Sequence, residues 1–404
     1  GNELREFDVT RQGDQLHVSS GDLAAEVHIL HRDEAQILIE IRGVDGSRRR
    51  VRLAGARQGD TRRLWVDGRS LSADRVRRSS ASRGPDAGSL AAASTAHAVT
   101  SIRFGTPFVT GSNLHKGMEK FAEVVARESK GAIKVHVYAD SQIGDIQQLI
   151  AGMQLGTVDM AYLGVGNSGQ LKGCGALNIA YLPYLFKSKR HAEEIMNGPL
   201  MAEYYEQCAK ASGVRIFTVG GARSPRALAT TKGPIRKPED LAGMRLRIPP
   251  IPIFRDMFEK VGVKVVPLGL NEMYMALSRG QVEGQDNGFD LTLSFRLHEV
   301  SKFWSATDHA YDNGTFYVSE RKWKTFTPEQ QALFKRAAVE GGKLATQLGE
   351  EIDRHGLEEL KKAGVNYVVP DRAAFEKAWA DVYKTYEGKV WPVGLVQRIK
   401  DLQK

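Results

Sequence analysis

The 404-residue chain holds only two cysteines, Cys174 and Cys208. Two thiols supply neither a disulfide framework nor the spacing of a metal site, although a single bridge stays open. No run of 18 apolar residues occurs, which excludes a conventional membrane-spanning helix. No nucleophile elbow, zinc-ligand spacing or paired-acid motif is present, so the residues point to no catalytic role, no metal and no cofactor. Lysine is missing altogether from residues 1–98, which hold 16 arginines. The remaining 306 residues carry all 24 lysines. Two compositions within one chain suggest two pieces of separate origin.

What is present is ordinary for a globular protein: 42% hydrophobic and 26% charged residues. The length implies two or three domains. The net charge of +9 raises the question of a polyanionic partner. The charges alternate in sign along expected helices and no basic stripe is interleaved with aromatics, which argues against nucleic acid.

Residues 1–78 read as short strands separated by turns. Leu23–Leu30 and Gln36–Arg42 are apolar and β-branched, Gly43-Val-Asp-Gly46 is a turn, and Asp67-Gly68 is a hairpin signal. A small barrel or curled antiparallel sheet is expected there. The Val66-Asp-Gly-Arg69 phrasing resembles the β-rich segment of biotin-containing subunits of acyl-CoA carboxylases. That family attaches biotin within a Met-Lys-Met turn, which this chain lacks. Residues 79–98 read as a Ser/Gly/Pro-rich linker followed by Leu90–Ala98, small residues ending in the A-x-A pattern of a signal-peptide cleavage site. The expected arrangement is a fusion whose mature secreted part begins near Val99.

From Val99 the pattern alternates between strands and helices, which predicts a mostly parallel sheet. Strands are expected at Ile133–Tyr138, Asp159–Leu163, Val214–Thr218, Arg226–Thr230 and Met244–Ile248. Helices are expected from Ser112 or Asn113, from Asp145 to Leu155, and from Phe254 to Val261. A long helical pattern runs from Pro328 to Ala363, interrupted at most at Gly341-Gly342 and Gly349.

Arg247, in Leu241-Ala-Gly-Met-Arg-Leu-Arg247-Ile-Pro249, is the residue most directly suited to a chemical task. A planar guanidinium offers paired donors that match the two oxygens of a carboxylate. Arg226 and Asn287 supply a second cation and an amide, and the set suits a small organic anion. Gly164-Val-Gly-Asn-Ser-Gly169 matches a dinucleotide fingerprint, but the residues after it do not read as a helix and no acid follows at the required distance. A turn lining a ligand cleft fits it better. His115 and His309 fall near the expected cleft loops without metal-ligand spacing.

These residues lie within co-linear motifs: Asp140-Ser-Gln-Ile-Gly-Asp145, Gln154-Leu-Gly-Thr-Val-Asp-Met160, Leu182-Pro-Tyr-Leu-Phe186, Arg236-Lys-Pro-Glu-Asp-Leu-Ala-Gly-Met-Arg-Leu-Arg-Ile-Pro249 and Val282-Glu-Gly-Gln-Asp-Asn287. Together they make residues 99–404 resemble the solute-binding subunits of tripartite ATP-independent periplasmic (TRAP) transporters of the dicarboxylate-binding type. The resemblance implies a two-lobed α/β periplasmic-binding-protein-like fold with a long bridging helix, preceded here by the small antiparallel β domain. The lobes are expected at 99–224 with 313–352, and at 225–312 with 353–404. It implies a periplasmic location, capture of a small carboxylate in a closing cleft, and membrane subunits of a transporter as partners, with no direct membrane insertion. The family's clamping arginine falls on Arg247, its second arginine on Arg226 and its ligand-contacting amide on Asn287. Leu270 stands where sialic-acid-binding relatives carry a pocket Phe, and Gly164 where they carry a pocket acid, which argues against sialic acid. Phe108, Trp304, Phe316 and Tyr317 are candidates to line the pocket. The alternative function is a carboxylase-derived fusion or a ligand sensor, with the N-terminal piece as an interaction module.

Overall fold

A computed structural model describes residues 99–403 in full, together with the backbone of seven strands within residues 8–73. The expected linker and signal-peptide remnant at 79–98 lie outside the described residues, as do the side chains of the arginine clusters at 48–50 and 77–78. The chain divides into two compact units, 1–93 and 94–404.

The first unit is an antiparallel meander. Its strands pair strictly in sequence, from Asp8–Gln12 to Arg69–Ala73. Val66 pairs with Arg69 across the last two strands; the hairpin signal Asp67-Gly68 itself lies outside the described residues. Among the described strands the first and last do not pair, so the ladder is open and not a closed barrel.

The second unit contains two sheets. One has five strands, in the order Val214–Ala222, Asn313–Ser319, Met160–Gly164, Thr100–Gly105, Ile133–Tyr138. The other has six, in the order Lys264–Pro267, Arg245–Ile248, Gly284–Asn287, Arg226–Thr230, Phe303–Ala310, Asn366–Val368. Each is mostly parallel, as expected, with a single reversed strand. Asn313–Ser319 runs antiparallel to both of its neighbours, and so does Arg226–Thr230. Parallel neighbours need a long crossover within one sheet. These two strands are instead reached by short passages from the other sheet, after Ala222 and after Ala310. The direction of each is therefore set by the change of lobe.

Local chemistry fixes the helices. Ser112 accepts a hydrogen bond from the His115 amide at the start of Asn113–Glu128. Asp145 and Gln148 form a reciprocal capping box at the start of Ile146–Leu155. Thr327 and Gln330 do the same for Pro328–Lys362, with Pro328 in its first turn. That helix runs 35 residues without interruption, about 52 Å at the usual rise. Its glycines serve contact, not breakage. A Cβ at Gly341 would lie 2.4 Å from the Gly117 carbonyl oxygen, so only glycine lets the two helices approach so closely. Near its middle Ala345 packs with Phe121 and Phe316 of the first lobe. Near its end Leu360 packs with Ala227, Ala229 and Trp304 of the second.

A disulfide joins Cys174, which follows the glycine-rich turn, to Cys208 in helix Pro199–Ser212. No helix among the described residues is long and apolar enough to cross a membrane.

Candidate functional site

The two short passages between sheets meet. Arg223, just after Ala222, donates from Nη1 to Asp312 Oδ2 at 2.6 Å, and its amide donates to the Asp312 carbonyl at 3.1 Å. Arg223 also donates from Nε to Asp290 Oδ2 at 3.0 Å. Tyr181 adds its hydroxyl to Asp312 Oδ2 at 3.0 Å. Burial pulls the Arg223 guanidinium toward deprotonation, but Asp290 and Asp312 outweigh it and hold it more firmly charged than usual. Burial, and then Asp312, push the Tyr181 phenol far up, so it remains a neutral donor. These groups form the hinge-side wall of a cavity of about 40 Å³.

Arg226 opens the strand Arg226–Thr230 and is 3% exposed. Its Nε donates to Asp286 Oδ2 at 2.8 Å and its Nη2 to the Asp286 carbonyl at 2.6 Å. Its guanidinium carbon lies 4.7 Å from the centre of the Phe254 ring. Burial raises the Asp286 carboxyl, yet Arg226 and His309 more than offset this and leave it below its ordinary value. Asn287, one residue on, donates to Gln285 Oε1 at 2.6 Å and lines the same cavity.

Arg247 differs from both. It sits at the third position of strand Arg245–Ile248 and is 2% exposed. Nε and Nη2 both donate to one acceptor, the Leu268 carbonyl, at 3.0 and 2.7 Å. A guanidinium carries five donors, so most of its capacity is not engaged by these bonds. No carboxylate oxygen among the described residues lies within 4 Å of it. Burial therefore pushes its pKa down to about 9, with Asp286 opposing and the neighbouring Arg226 reinforcing. At neutral pH it remains a buried cation whose charge is not neutralised by contact.

Gly164, at the end of strand Met160–Gly164, lines the cavity because a side chain would not fit. A Cβ there would lie 2.5 Å from Tyr181 Oη and 2.6 Å from Asp312 Oδ2. The glycine-rich segment after it forms a short 3-10 helix, Val165–Gln170, which brings Asn167 to the cavity. Tyr317 donates to the carbonyls of Gly164 and Val165 from behind, at 2.8 and 2.9 Å. Leu270 closes another side.

Arg247, Pro249, Leu270, Ile146 and Asn167 also border a second, larger chamber of about 250 Å³. Arg247 thus stands at the junction of the two spaces.

The structure brings Arg247, Arg226, Asn287, Gly164, Leu270 and Phe108 to one cavity. It does not bring Trp304 there. Trp304 lies in the core under the long helix, stacked on Phe289 at 4.6 Å with the rings 8° from parallel. Its cross-strand partner Ala229 belongs to the same core cluster, so this position on the strand faces the long helix and not the cavity. Phe316 and Tyr317 are also core residues, both fully buried. His309 is buried against Thr307, with Nε2 3.5 Å from Asp286 Oδ2. Sequence reasoning missed Arg223, Asn167, Tyr181 and Asp312. Arg223 had a signal, three residues before Arg226, and Asn167 lay inside the glycine-rich motif. Tyr181 and Asp312 carried none.

Two lobes joined at a hinge, with a buried unpaired cation between them, define a binding protein for a small organic anion. Residues 104–389 match the bacterial extracellular solute-binding protein family 7, and the chain belongs to that family, the solute-binding proteins of TRAP transporters. A solute-binding protein of Roseobacter denitrificans is 32% identical over 272 residues, spanning 66% of this chain and 81% of that protein. Its crystal structure, with bound L-galactonate, matches with a TM-score of 0.69 at 26% identity, over 76% of this chain and 99% of that one. A TRAP periplasmic solute-binding protein of a Sulfitobacter species, with bound β-D-galacturonate, matches with a TM-score of 0.68 at 27% identity, over 75% and 98% of the two chains. The protein is accordingly a solute-binding component and not an enzyme. It captures a small organic acid in a cleft between lobes for a TRAP-type secondary transporter.

Proposed function

We propose that the ligand is a small hydroxylated monocarboxylate held by Arg247. The observation that carries this reading is the pairing state of the cavity's arginines. Arg223 and Arg226 are bonded to buried aspartates, whereas Arg247 donates to the Leu268 carbonyl and to no carboxylate among the described residues. One unneutralised cation calls for one carboxylate, and the low dielectric of the site strengthens such a pair. A second carboxylate would meet Asp312 or arginines already engaged. The hydroxylated acids held by the Roseobacter and Sulfitobacter proteins support the same class. In this reading Asn287 and Asn167 serve ligand hydroxyls, Arg226 and Arg223 hold the hinge-side wall in place, Gly164 leaves space and Leu270 covers the ligand. The protein works in the periplasm and hands its ligand to the membrane subunits of the transporter, with no nucleic acid involved.

The test is thermal unfolding across a library of organic acids, in the wild type and in Arg247→Ala. A true ligand at about 1,000 times its dissociation constant stabilises by about 4 kcal/mol. That gain should vanish in the variant, and undiminished stabilisation would contradict the assigned clamp.

A further inference from the structure

The two spaces that meet at Arg247 are unequal. The hinge-side pocket holds about 40 Å³ and the chamber on the other side about 250 Å³. A cavity of about 150 Å³ admits benzene. Once a carboxylate sits on Arg247, the hinge-side pocket has room for only a few further atoms, so the bulk of any larger ligand must extend into the chamber.

The chamber walls differ in chemistry. The second lobe contributes Pro249, Pro250, Pro267, Leu268 and Leu270, an apolar and largely proline-stiffened face. The first lobe contributes Ser141, Gln147, Asn167 and Gln170, which present hydroxyl and amide groups beside Pro107 and Ile146, so its face is mainly polar where the other, Asn271 apart, is mainly apolar. Two acids stand at the same chamber. Asp145 caps the Ile146–Leu155 helix, and Glu272 accepts from the Gly269 amide at 2.7 Å. Arg247 is the only cation among the lining residues, and it lies at the inner end.

From this we infer the ligand's shape. Resting on the reading that Arg247 receives a carboxylate, the structure assigns the chamber as a subsite for the ligand's body. That body is neutral, longer than a few carbons, alkyl-bearing along one edge and hydroxyl- or amide-bearing along the other. The alkyl edge lies on the proline wall and the polar edge on the glutamine–asparagine wall. A ligand with a second carboxylate at its far end is disfavoured, because that group would meet Glu272 and Asp145 with no cation beside it.

Calorimetric titration of the full chain with three acids tests this. D-Glycerate is short. Pantothenate is a long monocarboxylate with methyl groups opposite its hydroxyl and amide groups. Adipate is long with a carboxylate at each end. The expected result is pantothenate binding at least tenfold tighter than either of the others. Gln170→Trp fills the chamber from an exposed position away from Arg247, and Gln147→Trp fills it from a neighbouring helix. Each should remove the pantothenate advantage while changing glycerate affinity less than threefold. The inference is overturned if glycerate or adipate matches pantothenate, or if both tryptophan variants leave the pantothenate advantage intact. It also falls if no acid of any length binds, but that outcome strikes the Arg247 reading itself. Glycerate binding without a gain for pantothenate strikes the chamber alone.

Discussion

The two ends of the cavity use arginine in opposite ways. At the hinge, Arg223 and Arg226 engage three buried aspartates, 290, 312 and 286, through short hydrogen bonds. At the junction with the chamber, Arg247 is equally buried and bonds only a backbone carbonyl. Burial alone therefore does not distinguish a recognition residue from a structural one. The hinge arginines are neutralised within the protein and tie together the passages between sheets. In the proposed reading, Arg247 is left for a charge that comes from outside. Such an uncompensated buried cation lowers stability and is expected where binding requires it.

The comparison breaks most sharply at the hinge. Arg223→Met leaves Asp290 and Asp312 buried without their cation, and removing one partner of a buried pair costs about 3–5 kcal/mol. Denaturant unfolding of the ligand-free protein should show that loss. If Arg223→Met unfolds like the wild type, the hinge network is not structural. The same substitution at Arg247 should act in the opposite sense. Arg247→Met removes a charge with no ionic partner, so the ligand-free protein should keep its stability or gain about 1 kcal/mol, a common result of removing a functional liability. A loss comparable to that at Arg223 would erase the distinction between the two ends.

The smallest effect concerns His309, which faces Asp286, Arg226 and Asp308 from within the second lobe. Burial lowers its pKa below the ordinary value of about 6.5, against the pull of Asp286. Below about pH 6.5 the unfolded chain takes up this proton while the folded one does not, so stability falls as pH falls through that range. His309→Gln should flatten the slope of stability against pH there. An unchanged slope would show that His309 does not contribute to it.

Much of this was legible in the sequence. Arg226–Thr230 and Ile133–Tyr138 are strands at the expected bounds, and Asp145 caps the helix it was expected to start. Local patterning sets such elements, so local reading finds them. The mostly parallel sheets were legible from the strand–helix alternation; the one reversed strand in each was not, because its direction depends on which lobe the chain has just left. Trp304 was misplaced for a related reason: a strand residue's face depends on register with Phe303–Ala310 and its neighbours, not on its own character. Arg247, Arg226 and Asn287 were visible from residue type and spacing. That Arg226 is paired and Arg247 is not depends on Asp286 and Leu268, at sequence distances of 60 and 21 residues. Those contacts exist only in the folded chain.

The central claim is that the ligand's carboxylate binds Arg247 and not the hinge arginines. A crystal structure with the acid that stabilises the protein most tests it directly. The account predicts both carboxylate oxygens within about 2.7–2.9 Å of Arg247 guanidinium nitrogens. A carboxylate seated on Arg223 or Arg226, with Arg247 facing only the ligand's body, would contradict it.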